Sequence, residues 1–176
     1  KHDIAVTLLN KAISIKPNLA EAHSNLGLAL QGLGKLDEAI ANYSKATAIK
    51  PDYAEVYNNL GKFFLELGKL DEAAVGYNNA ITINPNYAEA HSNLGVVLQE
   101  LGQLDEAVRS YNKALAIKPD NAEVYSNLGV TLKDLGQLDE ALASFNRAIA
   151  VKPDHVEAHS NLGVVLQDLG SFNEAI

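Results

Sequence analysis

An all-helical repeat array is the fold class that the sequence predicts, and three observations predict it. The five prolines, Pro17, Pro51, Pro85, Pro119 and Pro153, stand 34 residues apart, and self-similarity at a fixed period of this size marks a repeat architecture. Within each period the apolar residues recur at helical spacing, as in His91, Leu94, Gly95, Leu98 and Leu101, then Leu104, Ala107, Val108, Tyr111, Ala114 and Leu115. Finally, glycine and acid-rich punctuation recurs at constant offsets and cuts each period into two helices. Aligned on the prolines, the chain is a single array over 1–176: a partial unit (1–17), four full units (18–51, 52–85, 86–119 and 120–153) and a second partial unit (154–176).

The elements follow in order. The first helix of each unit is predicted to open with a capping box: Asn18 with Glu21, Asp52 with Glu55, Asn86 with Glu89, Asp120 with Glu123, and Asp154 with Glu157. It should end at Gly34, Gly68, Gly102, Gly136 or Gly170, where glycine takes the left-handed conformation of a helix C-terminus. The second helix starts with an acidic pair such as Asp105-Glu106, which suits the positive end of its dipole. Proline closes it, because proline cannot continue a helix.

Small residues predict how the helices meet. Gly27, Gly61, Gly95, Gly129 and Gly163 sit in mid-helix, where glycine costs about 1 kcal/mol relative to alanine, so close packing is expected there. Ala39, Ala73, Ala107, Ala141 and Ala175, with Ala46, Ala80, Ala114 and Ala148, supply small surfaces on the second helices. Tyr43, Tyr77, Tyr111 and Phe145 fill the space between.

The order Leu-Gly, Ala, Tyr or Phe, Ala, Pro in a 34-residue helix-turn-helix resembles the tetratricopeptide repeat family, and the match runs through the whole chain. The resemblance implies a right-handed superhelical solenoid of antiparallel helix pairs. It also implies that the first helices line a concave groove for peptides or other proteins.

Composition narrows the function. Lys and Arg total 14 against 22 Asp and Glu, a net charge of −8, which disfavours a phosphate backbone or an anionic membrane as partner. There is no cysteine, so thiolate chemistry and cysteine metal sites are excluded. No long apolar run predicts a membrane span, and KHDIAVTLLNK lacks the pattern of a signal peptide. A cytoplasmic location is expected. The chain has no methionine and is expected to be a piece of a longer one.

The stretch EAHSNLGVVLQ occurs twice, at 89–99 and at 157–167. His23, His91 and His159 alternate with Tyr57 and Tyr125 at one position, as a packing slot would. Histidines two repeats apart are too distant to share an ion. His155 and His159 stand at i and i+4, a chelating spacing, but His155 occupies a position held elsewhere by Leu19, Tyr53, Tyr87 and Asn121. No metal, cofactor or catalytic constellation is assigned, and the chain is read as not an enzyme.

The candidate site is the face of the first helices opposite their core stripe. Asn25, Asn59, Asn93, Asn127 and Asn161 hold one position of that face in every unit, although asparagine is a mediocre helix former. Glu89, Val96 and Glu100 share the face, with Ser92 and Gln99 at its flank. One reading is that each amide bonds a neighbouring repeat or was merely copied by duplication. The other is a ladder: a primary amide carries both acceptor and donors, so it can pair with the C=O and N–H of an extended peptide. The pattern is similar to the asparagine ladder in the repeat arm of O-GlcNAc transferases. A second asparagine of that pattern is replaced by Leu28, Lys62, Val96, Val130 and Val164, which makes the face more apolar. Repeats that clamp acidic tails need clustered Lys and Arg; Glu21, Glu55, Glu89, Glu123 and Glu157 stand here instead, with Lys62 and Lys133 scattered.

The function expected is therefore a scaffold that binds an extended protein segment. Two alternatives stand beside it, the substrate arm of a larger O-GlcNAc-transferase-like glycosyltransferase and a structural spacer or self-assembling scaffold. The incomplete terminal units are expected to expose apolar faces, including some of Leu162, Leu166 and Leu169, and to support end-to-end contacts between copies.

Overall fold

A computed structural model describes residues 2–174, with side chains through Gly170. Every described element is a helix: α1 (His2–Ile15), α2 (Ala20–Gln31), α3 (Leu36–Ile49), α4 (Ala54–Glu66), α5 (Leu70–Ile83), α6 (Ala88–Glu100), α7 (Leu104–Ile117), α8 (Ala122–Asp134), α9 (Leu138–Val151) and α10 (Val156–Glu174). The helices pack in consecutive pairs, α2 on α3, α4 on α5, α6 on α7 and α8 on α9. Contacts divide the chain into two units, Lys1–Pro85 and Asn86–Ile176, at a repeat boundary.

The helix stops are written locally. Gly34, Gly68, Gly102 and Gly136 all have φ between 67° and 75°, a conformation that strains any residue with a Cβ. At Gly102 the motif is complete: its N–H bonds to Gln99 O at 3.0 Å, and Gln103 N–H reaches back to Leu98 O at 2.8 Å. Each second helix ends in a residue pushed out of the helical region by the proline behind it. Lys50, Asn84, Lys118 and Lys152 have φ of −128° to −132° and ψ of 89° to 94°.

Helix starts depart from the expected capping boxes. The residue before each first helix is Leu19, Tyr53, Tyr87 or Asn121, one position later than expected, and only Asn121 bonds through its side chain, accepting from Val124 N–H. In the last unit, Ala158 N–H donates to His155 Nδ1 at 3.4 Å. The physical reason is the turn. Pro17 and Asn18 and their counterparts form a bend, which holds the Asn or Asp outside the first helical turn.

A second departure is at Gly170. There α10 continues without a break to Glu174, and Gly170 is absent from the left-handed glycines. In the complete units the stop is held by a second helix packed back on the first, and among the described residues no such helix packs back on α10. The expected small residue Ala175 lies outside the described residues.

Close helix approach falls where the mid-helix glycines stand. A Cβ on Gly27, Gly61, Gly95 or Gly129 would lie 2.6–2.8 Å from the ring of Tyr43, Tyr77, Tyr111 or Phe145 respectively. Those rings are fully buried, with Ala39, Ala46, Ala73, Ala80, Ala107 and Ala141 around them. A contact not expected from the repeat pattern is Gly76, whose Cβ would lie 2.7 Å from Gly61 N. Here the α4 and α5 backbones themselves touch.

The cores are larger than the expected stripe. In the Lys1–Pro85 unit, Leu26, Leu30, Tyr43, Val56 and Phe63 cluster, with Phe63 edge-on to Tyr43 at 6.4 Å between centroids. In the Asn86–Ile176 unit, Tyr111, Val124, Leu128, Leu132, Phe145 and Val165 form the centre. Ala90, Val97, Thr131 and Val165 are fully buried although they lie outside the expected stripe. The first helices also pack on the second helix before them, α4 on α3, α8 on α7 and α10 on α9, as Phe63 does on Tyr43, and so bury a second face.

Candidate functional site

Two histidines of the shared slot tie the first helix to the turn before it. His23 is buried, donating from Nε2 to Pro17 O at 3.0 Å while its Nδ1 lies 3.0 Å from Asn42 Oδ1. His159 Nε2 makes the same tie to Pro153 O at 2.9 Å, so the slot fastens the first helix to the proline turn before it. In the 155/159 pair one ring caps a helix and the other holds a carbonyl. Among the described residues no three-residue metal-ligating cluster forms.

The asparagine face points away from the core. Asn25 is exposed, and Asn59, Asn93, Asn127 and Asn161 are half-buried. Among the described contacts, the side-chain amides of Asn25, Asn59, Asn127 and Asn161 bond no other protein group. Buried amides ordinarily find a protein partner; these four sit where solvent or a ligand supplies it.

In the Asn86–Ile176 unit five of the candidate residues converge on two adjoining hollows between α6 and α8. One, of about 260 Å³, is lined by Ser92, Asn93, Val96 and Asn127, with Glu89 and Glu123 at its wall and Lys118 at its edge. The other, of about 390 Å³, is lined by Val96, Gln99 and Asn127, with Glu100 and Asp134 at its wall. Val96 and Asn127 belong to both, so the hollows form one trough. Val130 on α8 and Asn161 on α10 are half-buried on their own helices and line neither hollow. Asn25, Asn59 and Lys62 belong to the other unit.

Gln99 is partly committed. Its Oε1 accepts the Tyr111 hydroxyl at 3.2 Å, as Gln31 Oε1 accepts Tyr43 at 3.0 Å. The Tyr111 hydroxyl is held well above the ordinary phenol range, first by burial and then by the charge of Glu100. Asp134 was missed by sequence reasoning. The signal was there: Glu66, Glu100, Asp134 and Asp168 share one repeat position.

Stacked helix pairs with a ring set into a mid-helix glycine define a class, the helical repeat scaffold. A family model of the tetratricopeptide repeat matches residues 86–154, and a second TPR-repeat model matches 1–34, 32–68 and 63–102. The chain belongs to the tetratricopeptide-repeat family and is a protein-interaction scaffold of that kind.

Among solved structures it is similar to MamA, at 28% identity and a TM-score of 0.79 over 86% of this chain and 89% of that one. It is similar to YrrB, described as a TPR protein with an unusual peptide-binding site, at 25% identity and 0.76 over 90% and 82%. It is also similar to TTC0263, a thermophilic TPR protein of Thermus thermophilus, at 29% identity and 0.70 over 94% and 91%. No curated protein matches.

No described helix is long and apolar enough to cross a membrane.

Proposed function

We propose that each unit of this array binds an extended protein segment along the outward face of its first helices, reading the backbone through asparagine amides. The observation that carries the reading is the set of amides at Asn25, Asn59, Asn127 and Asn161 that bond no protein group among the described contacts, with Asn127 meeting Asn93 over one trough. Neighbouring first helices pack roughly 10 Å apart, and an extended chain advances about 3.3 Å per residue, so one amide meets the peptide about every third residue. Val96 and Val130 add apolar contacts to side chains between the rungs. The peptide-binding site named for YrrB supports the same kind of partner here.

The test is enrichment from a degenerate pool of unstructured peptides by this chain and by a variant carrying Asn59→Ala, Asn93→Ala and Asn127→Ala, with helicity matched by circular dichroism. Enrichment that vanishes in a folded variant is expected. Equal enrichment by both, or none by either, would overturn the reading.

A further inference from the structure

We infer that the segment held in the α6–α8 trough is basic, with lysine or arginine at alternating positions; this rests on the peptide reading above and names its partner class. The trough is walled on both sides by carboxylates. Glu89 and Glu123 stand near the N-terminal ends of their helices, Glu100 and Asp134 near the C-terminal ends, and the neutral Asn127 and Val96 lie between. All four carboxylates are on exposed residues, and Glu100, Glu123 and Asp134 form no ion pair among the described residues. The one cation among the lining residues is Lys118, at the edge of the smaller hollow.

Spacing puts either wall within reach of a basic side chain. Glu89 and Glu100 are eleven residues apart on one helix, about 16 Å at 1.5 Å per residue. A peptide running across the helices over Asn93 and Asn127 therefore passes about 6 Å from the Glu89 and Glu123 wall and about 10 Å from the Glu100 and Asp134 wall. A lysine or arginine stem reaches about 6 Å, and the carboxylate's own side chain with a charge-assisted hydrogen bond closes the rest. Successive side chains of an extended chain point to opposite sides, so basic residues i and i+1 address opposite walls and residues i and i+2 address the same one. Short polar side chains at the same positions reach neither wall.

The same geometry is repeated on α10. There Glu157, Asn161, Val164 and Asp168 carry the two walls and the centre at equal spacing. Exposed charges are screened by salt, so the preference for base is expected to fade as ionic strength rises while the amide contacts persist.

The experiment is calorimetric titration of the chain with three peptides of equal length, alternating Lys-Ala, Gln-Ala and Glu-Ala, at low and at roughly 0.5 M salt, where screening is strong. It is repeated with two paired variants, Glu89→Gln with Glu123→Gln, and Glu100→Gln with Asp134→Gln. The expected result is that Lys-Ala binds about tenfold more tightly than Gln-Ala at low salt, as several exposed pairs of modest strength would give. Glu-Ala should bind least, and because the lysines of Lys-Ala all face one wall, one paired variant should lose the preference while the other keeps most of it. Equal binding of Lys-Ala and Gln-Ala, both sensitive to Asn127→Ala, would overturn the basic partner and leave the peptide reading standing. Lys-Ala binding that neither paired variant weakens would place it elsewhere on an acidic surface and overturn the inference. No binding of any of the three would overturn both.

Discussion

The eleven residues EAHSNLGVVLQ stand at 89–99 and again at 157–167, and the protein gives them two different environments. In the first copy His91, Leu94 and Gly95 are buried, and a Cβ on Gly95 would lie 2.6 Å from the Tyr111 ring. In the second, His159 and Gly163 are exposed, Leu166 is 52% exposed, and nothing lies within 4 Å of a Cβ on Gly163. Identical letters share a helix but not a core. Helix formation is thus local, through spacing and the proline turn, whereas burial and the helix stop come from the packed second helix.

Removing the ring breaks this contrast most severely. Tyr111→Ala should cost about 3–5 kcal/mol, read as a lowered urea midpoint, and should make Gly95 as open as Gly163. An unchanged midpoint would mean that α7 does not hold α6.

Alanine at the two glycines sharpens the comparison, because the expected signs are opposite. At Gly95, overpacking of about 1–3 kcal/mol outweighs a gain in helix propensity of about 1 kcal/mol, so Gly95→Ala destabilises. At Gly163 only the propensity gain applies, and Gly163→Ala should stabilise by up to about 1 kcal/mol. Thermal melts of the two variants decide it; a shift of the same sign in both would deny that the ring accounts for the regular repeat spacing of the glycines.

Alkali provides a smaller effect confined to the filled slots. Burial, then Glu66 or Glu100, raises the Tyr43 and Tyr111 phenols above their ordinary value near 10. A group whose folded value is raised contributes its full stability below the unfolded value and loses it as pH climbs from there toward the folded one. Stability should therefore fall above about pH 10. Tyr111→Phe should lose about 0.5–1.5 kcal/mol at neutral pH with its bond to Gln99, and should flatten the alkaline decline. A decline equally steep in Tyr43→Phe/Tyr111→Phe would assign it to other groups.

The open copy carries the weakest expectation. Ile4, Leu8 and Ile15 on α1 and Val156 and Leu166 on α10 are exposed, and we expect concentration-dependent association of this chain in sedimentation, removed by Leu8→Glu with Leu166→Glu. A monomer at all concentrations would contradict it.

Much of this was legible in the sequence, for a reason that the two copies make plain. A strict period multiplies each local signal, so the helix pairs, the ring-glycine contacts and the left-handed glycine stops could be placed before any coordinate. What the period conceals is anything that depends on neighbours. Val97 and Thr131 are buried at the repeat position where Phe63 meets Tyr43 of the second helix before it, a contact outside the expected stripe. Gly170 looks like Gly102 in the alignment and behaves differently because no packed helix follows it among the described residues. The caps were misplaced by one residue because the proline bend, not the helix, takes the Asn or Asp. For the candidate face, the alignment supplied the asparagines and most of the carboxylates; the meeting of Asn127 with Val96 over one trough required the packing of α6 on α8.

The most direct measurement is the affinity of the alternating Lys-Ala peptide compared with the same peptide N-methylated along its backbone, which removes amide donors while keeping every side chain. If asparagine amides read the backbone, methylation should weaken binding by about tenfold or more, and Asn93→Ala with Asn127→Ala should erase the difference. Equal binding of the two peptides to the unaltered chain would contradict the account.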